Sequence, residues 1–196
     1  AILILASHCL PIIPNDSLNF FYGQWFFRFC VPLFIISSGY FFVSFDRNGK
    51  VKYLKRIAVL YVVASLLYIP TYIGADKKTI INILVLGYHH LWYLSALTIT
   101  LCILCVLEYI PAAKKSFNKI YPYIAVILIV IGSYYDEYKN VFANLYNNPI
   151  IKSFGDAIGY IGGSRHALFF VLPMVLIGRF IFEQKDKIKL QKTGCI

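Results

Sequence analysis

Charge is scarce in this sequence. Asp, Glu, Lys and Arg make up 14% of its 196 residues, against about 25% in a typical soluble domain. Acidic side chains are scarcer still, nine against nineteen Lys and Arg. No polar stretch is long enough to be a soluble domain, and there is neither an internal repeat nor a low-complexity tract. The five cysteines, at positions 9, 30, 102, 105 and 195, are scattered and imply no disulfide framework. Cys102 and Cys105 form a C-x-x-C, but inside an apolar run. A redox pair needs a soluble, thioredoxin-like setting, so these two read as small buried apolar side chains.

Apolar residues fill the space that charge leaves. They amount to 59% of the chain, and the mean hydropathy is +0.68. Such a chain takes lipid, not water, as its main solvent, and the fold class is an all-α, polytopic transmembrane helix bundle. The net charge of +10 raises the question of nucleic acid. The basic residues, however, sit between apolar runs and form no stripe along one face, which is the pattern of cytoplasmic membrane loops. No nucleic-acid partner is expected; the lipid bilayer is.

A span needs roughly 20 mostly apolar residues. Six segments meet or approach this, at about 1–13, 25–45, 53–74, 89–111, 118–135 and 165–183. The first is too short to span, has no initiator Met and no basic leader, and reads as a helix whose beginning is missing. Residues 1–183 form the membrane domain and 184–196 a basic cytoplasmic tail. Orientation follows from Lys and Arg. Loop 46–56 carries Arg47, Lys50, Lys52, Lys55 and Arg56; loop 112–119 carries Lys114, Lys115 and Lys119; the tail adds Lys185, Lys187, Lys189 and Lys192. The opposite loops carry only Lys77, Lys78, Lys139 and Lys152. The basic set belongs in the cytoplasm, and both ends of the chain with it. The long exterior loop 136–164 predicts a short interfacial helix.

Polar groups inside spans are functional candidates by default, because a charge at the bilayer centre costs about 2.5–3.5 kcal/mol on insertion scales. His8 falls in the outer part of the first span, where a neutral imidazole is either a general base or a hydrogen-bonded structural side chain. Arg28 enters the second span from outside. Pro32 deprives the Arg28 carbonyl of its helical partner, which predicts a kink there; the bland alternative is snorkelling to headgroups. His89, His90 and Trp92 open the fourth span from outside, and Arg165 and His166 open the sixth. Pro173 frees the carbonyl of Phe169 and predicts a second kink. Lys55 and Arg56 begin the third span at the inner face, as topology determinants or as a seat for phosphates. His8, Arg28, His90, Trp92 and Arg165 thus converge on an outer cluster, with Lys55 and Arg56 at a basic inner mouth. Ser37, Ser38 and Gly39 are small enough for close helix packing between them.

The run RFCVPLFIISSGYFF (Arg28 to Phe42) resembles the second-span signature of the membrane acyltransferase 3 family. YLKRIAVLYVVASLLYIP (Tyr53 to Pro70), HLWYLSAL (His90 to Leu97) and SRHALFFVLPMVLIG (Ser164 to Gly178) are similar to later parts of it, in the same order. The segment IGSYYDEY, a long loop and SRHALFF resemble the branch formed by the membrane half of vancomycin-resistance-type serine racemases.

The resemblance implies an acyltransferase of a bacterial plasma membrane that takes acyl-CoA in the cytoplasm as co-substrate, with no bound cofactor or metal, and acylates a carbohydrate or cell-envelope acceptor. It implies His8 as the essential histidine, with Arg28 and Arg165 orienting the acceptor or stabilising an oxyanion. Lys55 and Arg56 would hold the donor, and His90 and Trp92 would line the acceptor cavity. It also implies more spans than this chain has, so the chain reads as a truncated member. The racemase branch leaves a second expectation open, a non-catalytic substrate-uptake or anchoring module of a serine or alanine racemase-like protein. A non-catalytic remnant is the third.

Overall fold

The structure, a computed structural model, describes residues 15–21, 29–72, 74, 76–88, 91–138, 141, 148–160 and 167–193. Every regular element among the described residues is helical. In chain order they are α1 (Asp16–Phe21), α2 (Cys30–Ser44), α3 (Arg47–Leu67), α4 (Lys77–Leu86), α5 (Trp92–Tyr109), α6 (Pro111–Ser133), α7 (Pro149–Tyr160) and α8 (Leu172–Thr193). A 3-10 turn (Ile69–Tyr72) follows α3, and π-helical turns (Tyr134–Tyr138 and Ala167–Val171) follow α6 and precede α8.

Among the described residues, three helical segments are long and apolar enough to cross a membrane: Trp92–Tyr109, Pro111–Ser133 and Ala167–Lys185. α2 is apolar but shorter. The apolar side chains left exposed have the distribution lipid requires. Val59, Val62 and Val63 of α3 and Val126, Ile127 and Val130 of α6 all lie outward, whereas a soluble monomer seldom shows such continuous apolar faces. The segment 1–13 lies outside the described residues.

Local chemistry explains where the helices begin, and it moves two boundaries. Residues 46–56 and 112–119, expected as loops, are the opening turns of α3 and α6. Asp46 caps α3 by accepting from the Gly49 amide at 3.0 Å. α6 starts at Pro111, whose ring forces Ile110 out of the helical region, to φ −97 and ψ 107. The sequence PAAKK that follows is rich in good helix formers. Charge lowered the local hydropathy of these turns without weakening their helical preference. The tail is helical as well, since α8 continues to Thr193.

α4 occupies the segment between the third and fourth spans. Asp76 accepts from the Thr79 amide at 3.3 Å and caps its start. Its last turn is tied down by Tyr61, which donates to the Leu84 carbonyl at 2.7 Å, and by Ser95, which donates to the Val85 carbonyl. Gly87, at φ +86, ends it in the region that favours glycine. A short helix, α7, lies within 136–164, where one was expected, with Ile158 buried and Ile150 exposed.

α2 and α8 pack through their backbones. A β-carbon on Gly39 would collide with the Val175 backbone, and one on Gly178 with the Ile36 carbonyl and the Tyr40 amide. Ser38, 4% exposed, keeps its hydroxyl on its own helix at the Phe34 carbonyl. Around this seam Ile35, Phe42, Leu97, Leu101, Val171 and Leu176 form the core.

Pro173 sits just after the π-helical turn Ala167–Val171. The expected irregularity is therefore a widened turn, which accommodates the missing N–H. Buried Thr100 donates to the Ala167 carbonyl at 3.2 Å, and Gly132 lets the Phe169 backbone approach closely.

Candidate functional site

The two ends of α5 define two different environments. They are about 26 Å apart at 1.5 Å per residue, close to the thickness of a bilayer's hydrocarbon core. Trp92 stands at the first end, half-buried, with its ring 6.0 Å from Phe170 and 6.5 Å from Tyr93. His8, Arg28, His90 and Arg165, the other expected members of the outer cluster, lie outside the described residues.

The second end of α5 carries a charged network that joins four helices. Lys50 of α3 donates to Glu108 of α5 at 2.6 Å. The other Glu108 oxygen lies 3.8 Å from Nη1 of Arg179 in α8. Arg179 Nε donates to Glu183 at 2.8 Å, and its Nη2 donates to Asn118 of α6 at the same distance. Tyr121 of α6 donates to Glu183 at 2.5 Å. The Arg179 side chain is only 9% exposed, and its guanidinium lies over the Tyr121 ring at 4.7 Å. Burying a guanidinium is expensive unless its donors are met; here the α8 carboxylate, the α6 amide and the aromatic face meet them.

Beside this network is an open pocket of about 400 Å³, lined by Arg47, Lys50, Cys105, Glu108, Tyr109, Pro111 and Lys114. Three cations face it, against one carboxylate. Arg47 stacks over the Tyr109 ring at 3.9 Å, which fixes a planar cation at the rim. Helix geometry assembles this lining: Arg47 and Lys50 are one turn apart on α3, Cys105 and Glu108 one turn apart on α5, and Lys114 is in the first turn of α6. A second cavity of about 500 Å³ runs along Tyr61, Val62, Ser65, Leu66, Ile69, Ile80 and Leu84; its Tyr61 hydroxyl is already engaged by α4.

Lys55 and Arg56 are on α3 as well, but exposed, and neither lines the pocket. The face of α3 that packs on α5 carries Lys50, Tyr53, Leu54, Ile57 and Tyr61, and Lys55 and Arg56 fall on the other side of the helix. The residues that sequence reasoning passed over are Glu108, Arg179 and Glu183. A signal was available for Arg179, a charge within an apolar span, which is a functional candidate by default.

The sequence itself decides the family. A profile described as an acyltransferase domain matches residues 1–195. The chain belongs to the acyltransferase 3 family. Among curated proteins, it is similar to an amino-acid racemase of Enterococcus faecalis, 28% identical over 100% of this chain and 29% of that protein. A second Enterococcus faecalis amino-acid racemase is 25% identical over 85% of this chain and 25% of its own length. This chain thus spans under a third of the length of either relative. No solved structure matches. As an acyltransferase 3 domain with long apolar helices, the chain is a membrane protein of an acyltransferase family, and its basic pocket is a polar site built from described residues.

Proposed function

We propose that this acyltransferase 3 domain moves an acyl group, an acetyl group in the simplest case, from an acyl-CoA-type thioester at the cytoplasmic face of a bacterial plasma membrane to a hydroxyl of a carbohydrate or other cell-envelope acceptor. The observation that carries this reading is the pocket of Arg47, Lys50 and Lys114, on the face that the positive-inside rule assigns to the cytoplasm. Coenzyme A carries several phosphates, which such cations hold by charge-assisted hydrogen bonds. Lys55 and Arg56, exposed on the same helix, add to the positive field that draws the donor in.

At the outer end the proposed chemistry is acyl transfer to an alcohol. His8 takes the proton of the acceptor hydroxyl, or assists an acyl relay. The oxygen attacks the thioester carbonyl, Arg28 and Arg165 stabilise the oxyanion, and the carbon–sulfur bond breaks to release the thiol, which regains a proton. His90 and Trp92 line the acceptor side. The test is coenzyme A binding and acyl transfer by the chain in nanodiscs. Turnover should disappear in His8→Ala while coenzyme A still binds. Replacing Arg47 and Lys50 by Gln should raise the donor KM far more than it lowers kcat.

The racemase names of both relatives favour a second reading, a non-catalytic substrate-uptake or anchoring module of a membrane serine or alanine racemase-like protein. Absence of coenzyme A binding, together with amino-acid flux in proteoliposomes, would put this reading in place of the first.

A further inference from the structure

A basic pocket at the surface of a bacterial membrane has a problem of selectivity. Anionic lipid headgroups surround it at high local concentration, and juxtamembrane Lys and Arg attract them. Most such headgroups are phosphodiesters with one negative charge per phosphate. An unguarded set of three cations would hold one of them permanently.

The pocket already contains one negative charge. Glu108 sits in its lining and holds Lys50 at 2.6 Å. The same carboxylate has a second cation behind it, Arg179 Nη1 at 3.8 Å, beyond hydrogen-bond reach. Arg179 cannot follow Glu108 outward, because Glu183 and Asn118 anchor two of its nitrogens. Glu108 therefore has two possible partners, one facing the pocket and one fixed in the protein.

We propose that Glu108 is a resident counter-ion that sets the charge selectivity of this pocket, admitting phosphate groups of two or more negative charges and excluding monoanionic phosphodiesters. An incoming anion must take Lys50 from Glu108. A monoanion only replaces one carboxylate by another single charge at Lys50 and brings no surplus for Arg47 and Lys114. A phosphomonoester or pyrophosphate brings surplus charge for Arg47 and Lys114, while Glu108 shifts onto Arg179 and stays paired. The inference rests on the pocket's binding an anion, as the donor reading holds, but not on that anion's being a thioester.

Inorganic pyrophosphate is the probe, and binding to the chain is measured in phosphatidylcholine nanodiscs and in nanodiscs rich in phosphatidylglycerol. The negative surface repels the probe from every variant alike, so the quantity read is the ratio of the two dissociation constants. Glu108→Gln should bind pyrophosphate at least as tightly as the wild type in phosphatidylcholine. Its ratio should exceed the wild-type ratio by about tenfold, because lipid now competes. Equal ratios, or weaker binding by Glu108→Gln in phosphatidylcholine, would overturn the proposal. A second measurement keeps Glu108 in place: with the other four cysteines replaced by serine, pyrophosphate should protect Cys105 from a thiol reagent and dimethyl phosphate at equal ionic strength should not. Equal protection by both would also overturn it. If pyrophosphate neither binds nor protects in any lipid, the pocket is no anion site, and the donor placement fails with it. If pyrophosphate binds and Glu108→Gln changes nothing, the donor placement stands and only the role of Glu108 falls.

Discussion

Gly178 of α8 lies against the Ile36 carbonyl of α2 so closely that a β-carbon has no room. Gly39 meets the Val175 backbone in the same way from the other helix. Together they bring two apolar helices into backbone contact without any large side chain between them, which is how helices associate where lipid removes the hydrophobic drive. Gly178→Val or Gly39→Val should force the helices apart and cost about 1–3 kcal/mol or more, seen as a lower unfolding temperature in detergent. Gly159→Ala is the contrast. Nothing lies within 4 Å of a β-carbon there, and the helical position should gain up to about 1 kcal/mol.

Arg179 links α5, α6 and α8: it faces Glu108, donates to Asn118 and holds Glu183 of its own helix. Arg179→Met should leave Glu108 and Glu183 facing each other and lower stability by roughly 3 kcal/mol. Arg179→Lys should recover only part of this, because an ammonium cannot serve the Glu183 and Asn118 sites in one plane. Chemical or thermal unfolding of the three proteins in one detergent checks the order.

Much of this architecture was legible in the sequence. Composition gives the membrane bundle, the Lys and Arg distribution picks out the basic end, and Ser37, Ser38 and Gly39 stand out as a small-residue packing stretch, of which Gly39 meets the α8 backbone. The chemistry of Pro173 marks the irregular turn, although a kink and a π turn look alike from sequence. What was not legible depends on pairing across the chain. Lys50 and Glu108 are 58 residues apart, and hydropathy averaging hides a single charge at a span end. Lys114 was assigned to a loop because charge and helix preference give opposite signals there. Lys55 and Arg56 are the more conspicuous cations by sequence, but helix phase alone decides that Lys50 faces α5 and they do not.

The π-helical turn before α8 depends on a buried hydroxyl. Thr100, fully buried, donates to the Ala167 carbonyl. Thr100→Val keeps the shape and removes the donor, leaving a buried acceptor without its partner. The expected cost is about 1–3 kcal/mol. Thr100→Ser should retain the hydrogen bond and lose only a methyl group, so it should fall between the two. Slower amide exchange around residues 167–171 in the wild type than in Thr100→Val would tie the loss to this turn and not to the core generally.

The basic end makes a directional prediction about topology. Reporter fusions truncated after Lys50 or Lys115 should read cytoplasmic, and fusions after Asp76 or Asn147 should read external. The opposite pattern would place the Arg47, Lys50 and Lys114 pocket outside, where no coenzyme A is present, and would remove the donor reading altogether.

Two sets of cations on one helix separate local binding from long-range attraction. Lys50 lines the pocket and is mostly buried, with its side chain 15% exposed. Lys55 and Arg56 are exposed and lie roughly 8–9 Å further along α3, from the helical rise. A charged hydrogen bond to a phosphate is worth about 1.5 kcal/mol or more, so Lys50→Gln should raise the donor KM by about tenfold or more. That loss should persist at high salt, because a partly buried pair is weakly screened. Replacing Lys55 and Arg56 together should act through the field alone, with an effect under about threefold near physiological ionic strength, where exposed charges contribute little. This second effect should grow as salt is removed and vanish above about 0.5 M, where the screening length is only a few ångströms. Donor KM measured across a salt series for the two variants distinguishes these cases. A large, salt-insensitive defect in the Lys55 and Arg56 variant would show that the donor is held on the exposed face of α3 and not in the pocket beside Glu108.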